Sequence, residues 1–248
     1  MIFFNFGVII TAYKEGDFMN YIANGKKISI DTDKKPFAQG SEGRLYLKNG
    51  TLYKIYDDGA LNEGFGDKRF YHIGMIGIET KQIDMPTSAI LETDGKYVGY
   101  TTTCITRKRK DNFGTTQLPT DVFLKNIQTL LEDVKILSNL HILMNDVSFF
   151  NYLLHDETMH IVDPGRYRFT DSYNMRANIM QLKELFIILI YLDLCHYKVD
   201  QKRKIQIFRQ QIGMEIKSAE DLYEYFNNLC SNYKNFEEYA KERIRYIK

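Results

Sequence analysis

The chain of 248 residues has few cysteines and no excess of either charge. Its three cysteines, Cys104, Cys195 and Cys230, are far apart and form no C-x-x-C pair, so neither a disulfide framework nor a zinc site is indicated. The histidines show no metal-ligand spacing either. With 33 Lys and Arg against 32 Asp and Glu, the chain has no global field that would attract nucleic acid or a membrane surface.

Long hydrophobic runs are also missing. The apolar stretch 2–11 is too short to cross a bilayer, and it lacks the basic flank and the small-residue cleavage site of a signal peptide. Residues 179–194 are apolar nearly all round, which predicts a buried central helix. The stretch is short and is interrupted by Lys183 and Glu184, which argues against a membrane span. We therefore expect a cytoplasmic protein without a membrane span and without a nucleic-acid partner, and the oligomeric state stays open.

Two segments allow more than one interpretation. Residues 14–17 can be encoded by a purine-rich ribosome-binding sequence just before Met19, in which case residues 1–18 are a dispensable extension. A peripheral strand or arm is the alternative for residues 1–18. The basic cluster 107–110 is interpreted as a solvated loop, with a contact to phosphate or to an acidic partner as the alternative.

Strand patterns dominate the first hundred residues. The predicted strands are 25–31, 37–48, 51–56, 88–92 and 96–105. Asn49-Gly50 is a strong signal for a type I′ hairpin, because both residues accept a positive φ. Counting outward from this turn pairs Leu45 with Lys54. Because successive side chains of a strand alternate between its two faces, Lys54 lies on the same face as Leu52 and Tyr56. A helix over 61–77 is predicted as well, weakened by its glycines.

Helical patterns dominate the rest of the chain. Apolar residues recur at helical spacing from Val122 to Leu140, with Thr120 or Asp121 as the N-cap. Two short strands are predicted at 152–154 and 160–162. Further helices are predicted at 179–194, 202–212, 218–229 and 236–247. The sequence thus predicts an α+β protein with a β-rich part over 19–104 and a helical part over 105–248.

The most informative pattern is Asp146, then Asn151 five positions later, then Asp163 before Pro164-Gly165. Carboxylate and amide oxygens are hard ligands suited to Mg²⁺, which keeps few protein ligands and shares the phosphates of its substrate. In such a set the first Asp can take a hydroxyl proton, while the Asn and the second Asp hold the metal. This spacing is common by chance, so its weight depends on what lies upstream.

A glycine-containing loop and a lysine lie upstream. In the segment Gly40-Ser41-Glu42-Gly43, the glycines allow backbone N–H groups to approach phosphate oxygens without a Cβ in the way. Lys54 faces the same way as Leu45 beneath this loop and adds a point charge for phosphates.

In order and spacing, these motifs resemble the eukaryotic-like protein kinase superfamily over roughly residues 37–194. The resemblance implies a bilobal protein-kinase-like fold, with a β-rich N-lobe and a helical C-lobe, that uses ATP and Mg²⁺. It implies that Asp146 and Lys54 are catalytic, that Asn151 and Asp163 bind Mg²⁺, and that Thr102 is the gatekeeper. The implied ATP contacts are Gly40, Ser41, Glu42, Gly43, Leu45, Leu52, Lys54, Thr103 and Ile105.

The chain departs from the family pattern at several positions. Ala38 replaces the first loop glycine, Met144-Asn145 stand where His-Arg is expected, and Pro164 replaces a Phe. The segment after Gly165 is short and contains no Ala-Pro-Glu, which is similar to the RIO-like and aminoglycoside-phosphotransferase-like branches and to minimal bacterial kinases. The acid that the family pairs with the lysine is assigned to Glu63, with Asp67 and Glu79 as weaker alternatives.

We therefore expect an ATP/Mg-dependent phosphotransferase, a Ser/Thr protein kinase-like enzyme whose acceptor is a hydroxyl on a protein. The alternatives are a nucleotide-binding pseudokinase, a kinase that acts on a small molecule, and a non-catalytic interaction module.

Overall fold

The computed structural model describes residues 18–32, 34–57, 60, 68–105, 114–195 and 216–243, which form an α+β protein. The chain divides into two compact units. The first, called the sheet unit, comprises Met1–Glu79 and Met85–Cys104, and the second, called the helical unit, comprises Thr80–Asp84 and Ile105–Lys248. No described helix is both long enough and apolar enough to cross a membrane.

The sheet unit is built on a seven-stranded antiparallel sheet. Its strands are β1 (Phe18–Ala23), β2 (Lys26–Asp31), β3 (Ala38–Gln39), β4 (Gly43–Lys48), β5 (Thr51–Tyr56), β6 (Ser88–Glu92) and β7 (Tyr97–Thr103). Their order across the sheet is β2-β1-β6-β7-β5-β4-β3. Helix α1 (Lys68–Met75) lies between β5 and β6 in the chain.

The β4–β5 hairpin confirms the predicted register. Leu45 is the partner of Lys54, and Lys48 is the partner of Thr51, around a turn with φ of 51° at Asn49 and 77° at Gly50. Alternation then separates the two faces of β5. Tyr53 and Ile55 pack against the core cluster of one face, which contains Tyr21, Ala23, Ile30, Tyr46, Ile90 and Val98. Leu52, Lys54 and Tyr56 are buried on the other face.

The helical unit contains helices, short strands and 3₁₀ turns. Its described elements are a 3₁₀ turn at Thr115–Gln117, α2 (Thr120–Asn139), β8 (Ile142–Leu143), a 3₁₀ turn at Phe149–Asn151, β9 (Tyr152–His155), β10 (Thr158–Ile161), a 3₁₀ turn at Pro164–Arg166, β11 (Arg168–Phe169), α3 (Met175–Cys195), α4 (Ala219–Cys230) and α5 (Phe236–Arg243). β9 pairs with β10 and β8 pairs with β11, each antiparallel.

An aromatic cluster joins the four described helices of this unit. The Phe123 ring on α2 lies 6.3 Å from Phe186 on α3, 5.2 Å from Phe226 on α4 and 6.4 Å from Phe236 on α5, measured between centroids. All four side chains are almost completely buried. Such contacts bury large apolar areas and favour tilted or edge-to-face geometry. The prediction of a buried helix over 179–194 is confirmed by α3.

Two sequence predictions were wrong in detail, and one strand was not predicted. The N-cap of α2 is Pro119, with no side-chain cap, and the Thr120 hydroxyl instead donates to the carbonyl of Tyr233 at 2.8 Å. The predicted strand 37–48 is broken, because the N–H of Gly40 donates to the carbonyl of Gly43 at 3.0 Å and closes a turn. Strand β1 was not predicted, although Asn24 before Gly25 forms the same kind of turn as the second hairpin, with φ of 50° and 70°.

Several predictions concern residues that the structure does not describe. They are most of the extension 1–18, the part of the predicted helix 61–77 that precedes α1, the basic cluster 107–110 and the helix 202–212.

Candidate functional site

Lys54, on β5, is buried in the sheet unit, with 4% of its surface exposed. Its ammonium nitrogen lies 5.2 Å from the centroid of the Tyr56 ring and 5.8 Å from that of Tyr100. Both distances fall within the range of a cation–π interaction. Lysine is rarely buried to this degree without compensating contacts, so these rings are part of the reason that the charge is tolerated there.

Only one of the three acids considered as partners of Lys54 lies among the described residues. Glu63 and Asp67 are outside them. Glu79 is exposed after α1, and no ion pair joins it to Lys54 in the described part of the chain. The assignment to Glu63 therefore stays a prediction.

The predicted phosphate loop is a tight turn between β3 and β4. The Gly40 N–H is bonded within the turn, the carbonyl of Glu42 accepts the N–H of Asp57 at 3.0 Å, and Ser41 is exposed. A Cβ added at Gly43 would collide with the carbonyl oxygen of Ile55 and lie 2.8 Å from the Cα of Tyr56. Glycine at position 43 therefore has a packing reason, the close approach of β4 to β5, whatever ligand the loop binds.

Three other predicted ATP contacts, Leu45, Leu52 and Thr103, lie on neighbouring strands of the same sheet, whereas Ile105 lies on no strand. Leu45 is half-buried beside Lys54 on β4, and Leu52 is buried on β5 opposite Thr102. Thr103 ends β7 with its side chain exposed, and Ile105 follows, half-buried. The Thr102 hydroxyl, at the predicted gatekeeper position, donates to the carbonyl of Met85 at 3.5 Å.

In the helical unit the structure brings together the residues of the acidic motif. The Asn151 side-chain amide donates to the backbone carbonyl of Asp146 at 2.9 Å and to its carboxylate at 3.3 Å. The carbonyl of Asn151 accepts the N–H of Val162 at 2.8 Å, which places the residue before Asp163 against the same loop. Because the Asn151 amide donates through nitrogen, its oxygen is directed away from Asp146.

Asp163 caps the 3₁₀ turn Pro164–Arg166 and accepts the N–H of Gly165 at 3.2 Å. The buried phenol of Tyr167 lies close by. Burial, followed by the negative charges of Asp163, Asp84 and Asp146, raises the pKa of Tyr167 far above its usual range. The phenol therefore stays protonated and can act only as a neutral hydrogen-bonding group beside these carboxylates.

Both acids of the motif have an unusual backbone conformation. Asp146 has φ of 60° and Asp163 has φ of 62°, in the left-handed region that non-glycine residues seldom adopt. Most other described non-glycine residues with positive φ sit in hairpin turns, such as Asn49 and Asp156. Asp146 lies in no hairpin, and Asp is among the few non-glycine residues that tolerate this conformation.

Arg166 adds a positive charge to this group. Its Nε lies 3.9 Å from the Asp146 carboxylate, and both side chains are about half exposed. An exposed pair at this distance contributes little to stability. The backbone carbonyl of Arg166 also accepts from the Asn145 side chain at 3.0 Å, which ties the two loops together.

The sequence analysis missed Asn178, a fully buried residue of α3 that holds the loop carrying Asp146. Its side-chain oxygen accepts the N–H of Met144 at 2.8 Å. Its nitrogen donates to the Ser138 hydroxyl at 3.0 Å and to the Ile142 carbonyl at 2.9 Å. An amide directly before the apolar stretch 179–194 was the signal that could have identified it.

Asp133 on α2 was missed as well. Its carboxylate is fully buried and accepts the backbone N–H groups of Lys81, Gln82 and Ile83 at distances from 2.6 to 3.1 Å. This segment pairs with the end of β10, since Ile161 donates to Gln82 at 2.8 Å and accepts from Asp84 at 2.7 Å. Asp133 therefore anchors the segment beside β10, just before Asp163. Its position within the apolar stripe of α2 was a visible signal.

The described residues contain no cluster of three or more His, Cys, Asp or Glu side chains placed to hold a metal ion. The candidate set instead consists of two carboxylates and one amide. No protein-family model matches the chain, and no curated protein is similar to it.

Proposed function

We propose that the protein is an ATP/Mg-dependent phosphotransferase of protein-kinase-like bilobal architecture, with the sheet unit as its N-lobe and the helical unit as its C-lobe. The observation that carries this proposal is the contact of Asn151 with the carbonyl and carboxylate of Asp146, next to the segment that carries Asp163. Asp146 and Asn151 were singled out from the sequence by their spacing, and their side chains are in contact in the folded helical unit.

The donor chemistry of this set fits Mg²⁺. The ion prefers oxygen ligands and is held in phosphotransfer enzymes by one or two protein carboxylates together with substrate phosphates. Asp163 supplies a carboxylate, and the oxygen of Asn151 is directed away from Asp146. These two residues are the proposed ligands. When bound, Mg²⁺ would neutralise phosphate charge.

Asp146 is the proposed base of the reaction. A hydroxyl oxygen of the acceptor forms a bond to the γ-phosphorus, the bond from that phosphorus to the bridging oxygen of ADP breaks, and the hydroxyl proton passes to the Asp146 carboxylate. The transition state of phosphoryl transfer is loose, so orientation of the hydroxyl matters more than base strength. The hydrogen bonds from Asn151 fix both the backbone and the carboxylate of Asp146, which supports this role.

Lys54 is the proposed phosphate-binding cation of the sheet unit. Its burial removes competing water, and a charge in a dry environment interacts more strongly with a phosphate than an exposed one does. Of the proposed ATP contacts, Leu45 on β4 is the cross-strand partner of Lys54, and Leu52 lies two residues before it on β5.

The proposed acceptor is a Ser or Thr hydroxyl on a protein, and a small molecule is the second candidate. The second candidate is favoured by one observation, the short connection 167–174 between the 3₁₀ turn that follows Asp163 and the start of α3. A connection of this length offers little surface for an extended peptide.

The test is transfer of labelled γ-phosphate from Mg·ATP to a panel of protein and small-molecule acceptors. Asp146→Asn removes the proton acceptor and keeps a residue that tolerates positive φ. Asp156→Asn, at an exposed hairpin position with φ of 47°, is the matched control. We expect a loss of about 10²- to 10⁴-fold for Asp146→Asn and none for the control. Equal transfer by both variants would refute the role of Asp146, and binding without transfer would favour a pseudokinase.

A further inference from the structure

The two rings beside Lys54 belong to a larger aromatic cluster within the sheet unit. The ring of His72, on α1, stacks on Tyr56 with 5.6 Å between centroids and an interplanar angle of 7°. The same ring meets Tyr100 edge-on at 5.1 Å. His72 therefore touches both rings that face the ammonium of Lys54.

A hydrogen bond fixes the ring of His72 in turn. Its Nδ1 lies 3.0 Å from the hydroxyl of Tyr97 on β7. His72 is completely buried and Tyr97 is 4% exposed, so this bond is shielded from water. A buried polar pair of this kind holds its members in one arrangement, because breaking it leaves unpaired groups in the core.

We propose that Tyr56 and Tyr100 are positioning residues for the Lys54 ammonium, and that His72, bonded to Tyr97, holds the two rings in place. A ring face attracts a cation through its quadrupole and carries no formal charge. The rings therefore orient the ammonium without cancelling its charge toward a phosphate. α1 takes part through His72, so its position in the sheet unit is coupled to that of Lys54.

The arrangement of the rings around Lys54 does not depend on the proposed function. Only the benefit of this arrangement to phosphate binding rests on the proposed function. NMR of protein carrying ¹³C-labelled lysine tests the arrangement directly. Protons above the face of an aromatic ring resonate upfield, so we expect the ε-methylene signal of Lys54 to lie upfield of exposed lysines. Lys54→Arg assigns the signal by removing it. A wild-type Lys54 signal among those of exposed lysines overturns the proposal.

Paired substitutions separate the ring face from the hydroxyl. Tyr56→Phe and Tyr100→Phe keep the face, so the Lys54 signal should stay upfield. Tyr56→Leu and Tyr100→Leu remove it, so the signal should move toward those of exposed lysines and Mg·ATP affinity should fall by about tenfold in folded protein. If the leucine variants leave the signal in place, the rings have only a packing role and the proposal fails.

The two readouts distinguish this proposal from the proposed function. An upfield Lys54 signal in a protein that binds no Mg·ATP supports the positioning role and refutes the phosphotransferase. Binding of Mg·ATP that is equal in the Phe and Leu variants refutes the benefit of positioning and leaves the phosphotransferase intact.

Discussion

Asp133→Ala is the most informative perturbation of the helical unit. The substitution removes the acceptor of three backbone N–H groups, and the residues Gln82 and Ile83 are 4% and 1% exposed. A buried donor left without a partner costs about 1–3 kcal/mol. The exposed Lys81 can find water, so the two buried donors predict a loss of about 2–6 kcal/mol in the free energy of unfolding. Asp133→Asn keeps one acceptor oxygen and should lose roughly half as much.

Urea denaturation followed by circular dichroism measures this loss, and amide hydrogen exchange at Gln82 and Ile83 locates it. The matched control is Glu132→Ala. Glu132 is the neighbouring residue on α2 and binds the side chain of the same Lys81 at 2.9 Å, but both side chains are exposed. An exposed pair contributes about 0–1 kcal/mol.

We expect faster exchange at Gln82 and Ile83 in the Asp133 variants and unchanged exchange in Glu132→Ala. Because this segment pairs with Ile161 before Asp163, Mg·ATP affinity should fall together with the protection of these amides. If Asp133→Ala and Glu132→Ala had the same unfolding free energy, the buried hydrogen bonds would not anchor the segment.

Two further predictions concern packing and pH. Gly43→Ala should destabilise the sheet unit by about 1–3 kcal/mol, since its Cβ would meet the backbone of Ile55. Gly40→Ala is the control: its Cβ would have no atom within 4 Å, so the free energy of unfolding, measured by heat or urea, should change by less than about 0.5 kcal/mol. Burial raises the pKa of Asp193 to about 6, above the 3.8 of an exposed Asp, although the N–H of Thr116 donates to it at 2.8 Å. Its contribution to stability is therefore present below pH 4 and lost as the pH rises through 6, by about 3 kcal/mol. The free energy of unfolding of the wild type relative to Asp193→Asn, measured in urea, should therefore fall by that amount between pH 4 and pH 7, and a constant difference would contradict the assignment.

Local turn chemistry made part of the fold predictable. Asn49-Gly50 determined the register that pairs Leu45 with Lys54, because a two-residue turn with positive φ allows the two flanking strands only one pairing. The apolar stretch of α3 predicted a buried helix for a similar reason, since it has no polar face to expose. These features depend on residues close together in the sequence.

Features that depend on tertiary contacts were not predictable in the same way. The predicted N-cap of α2 was wrong because the hydroxyl of Thr120 donates to the carbonyl of Tyr233, which is distant in the sequence. The partners of Asp133 and Asn178 are likewise remote in the sequence. The sequence therefore shows a polar residue beside apolar ones on a predicted helix, but it does not show which backbone groups that residue binds. Gly43 looked like a ligand contact, while the structure adds a packing requirement from a neighbouring strand.

Two residues of the acidic motif, Asp146 and Asn151, are in contact in the helical unit, and Asn151 also binds Val162, the residue before Asp163. The spacing carries no information on the positive φ of the two acids or on the buried Tyr167 beside them. Those features depend on how the loops pack. The chemical role of the motif stays a prediction that binding and transfer experiments must test.

The most direct test of the central claim is calorimetric titration of the protein with ATP in the presence and absence of Mg²⁺. The wild type should bind Mg·ATP, Asp163→Asn should lose the Mg²⁺-dependent part of the affinity, and Asp156→Asn should behave as the wild type. A wild-type protein that binds no ATP, or an Asp163→Asn variant with unchanged Mg²⁺ dependence, would contradict the account.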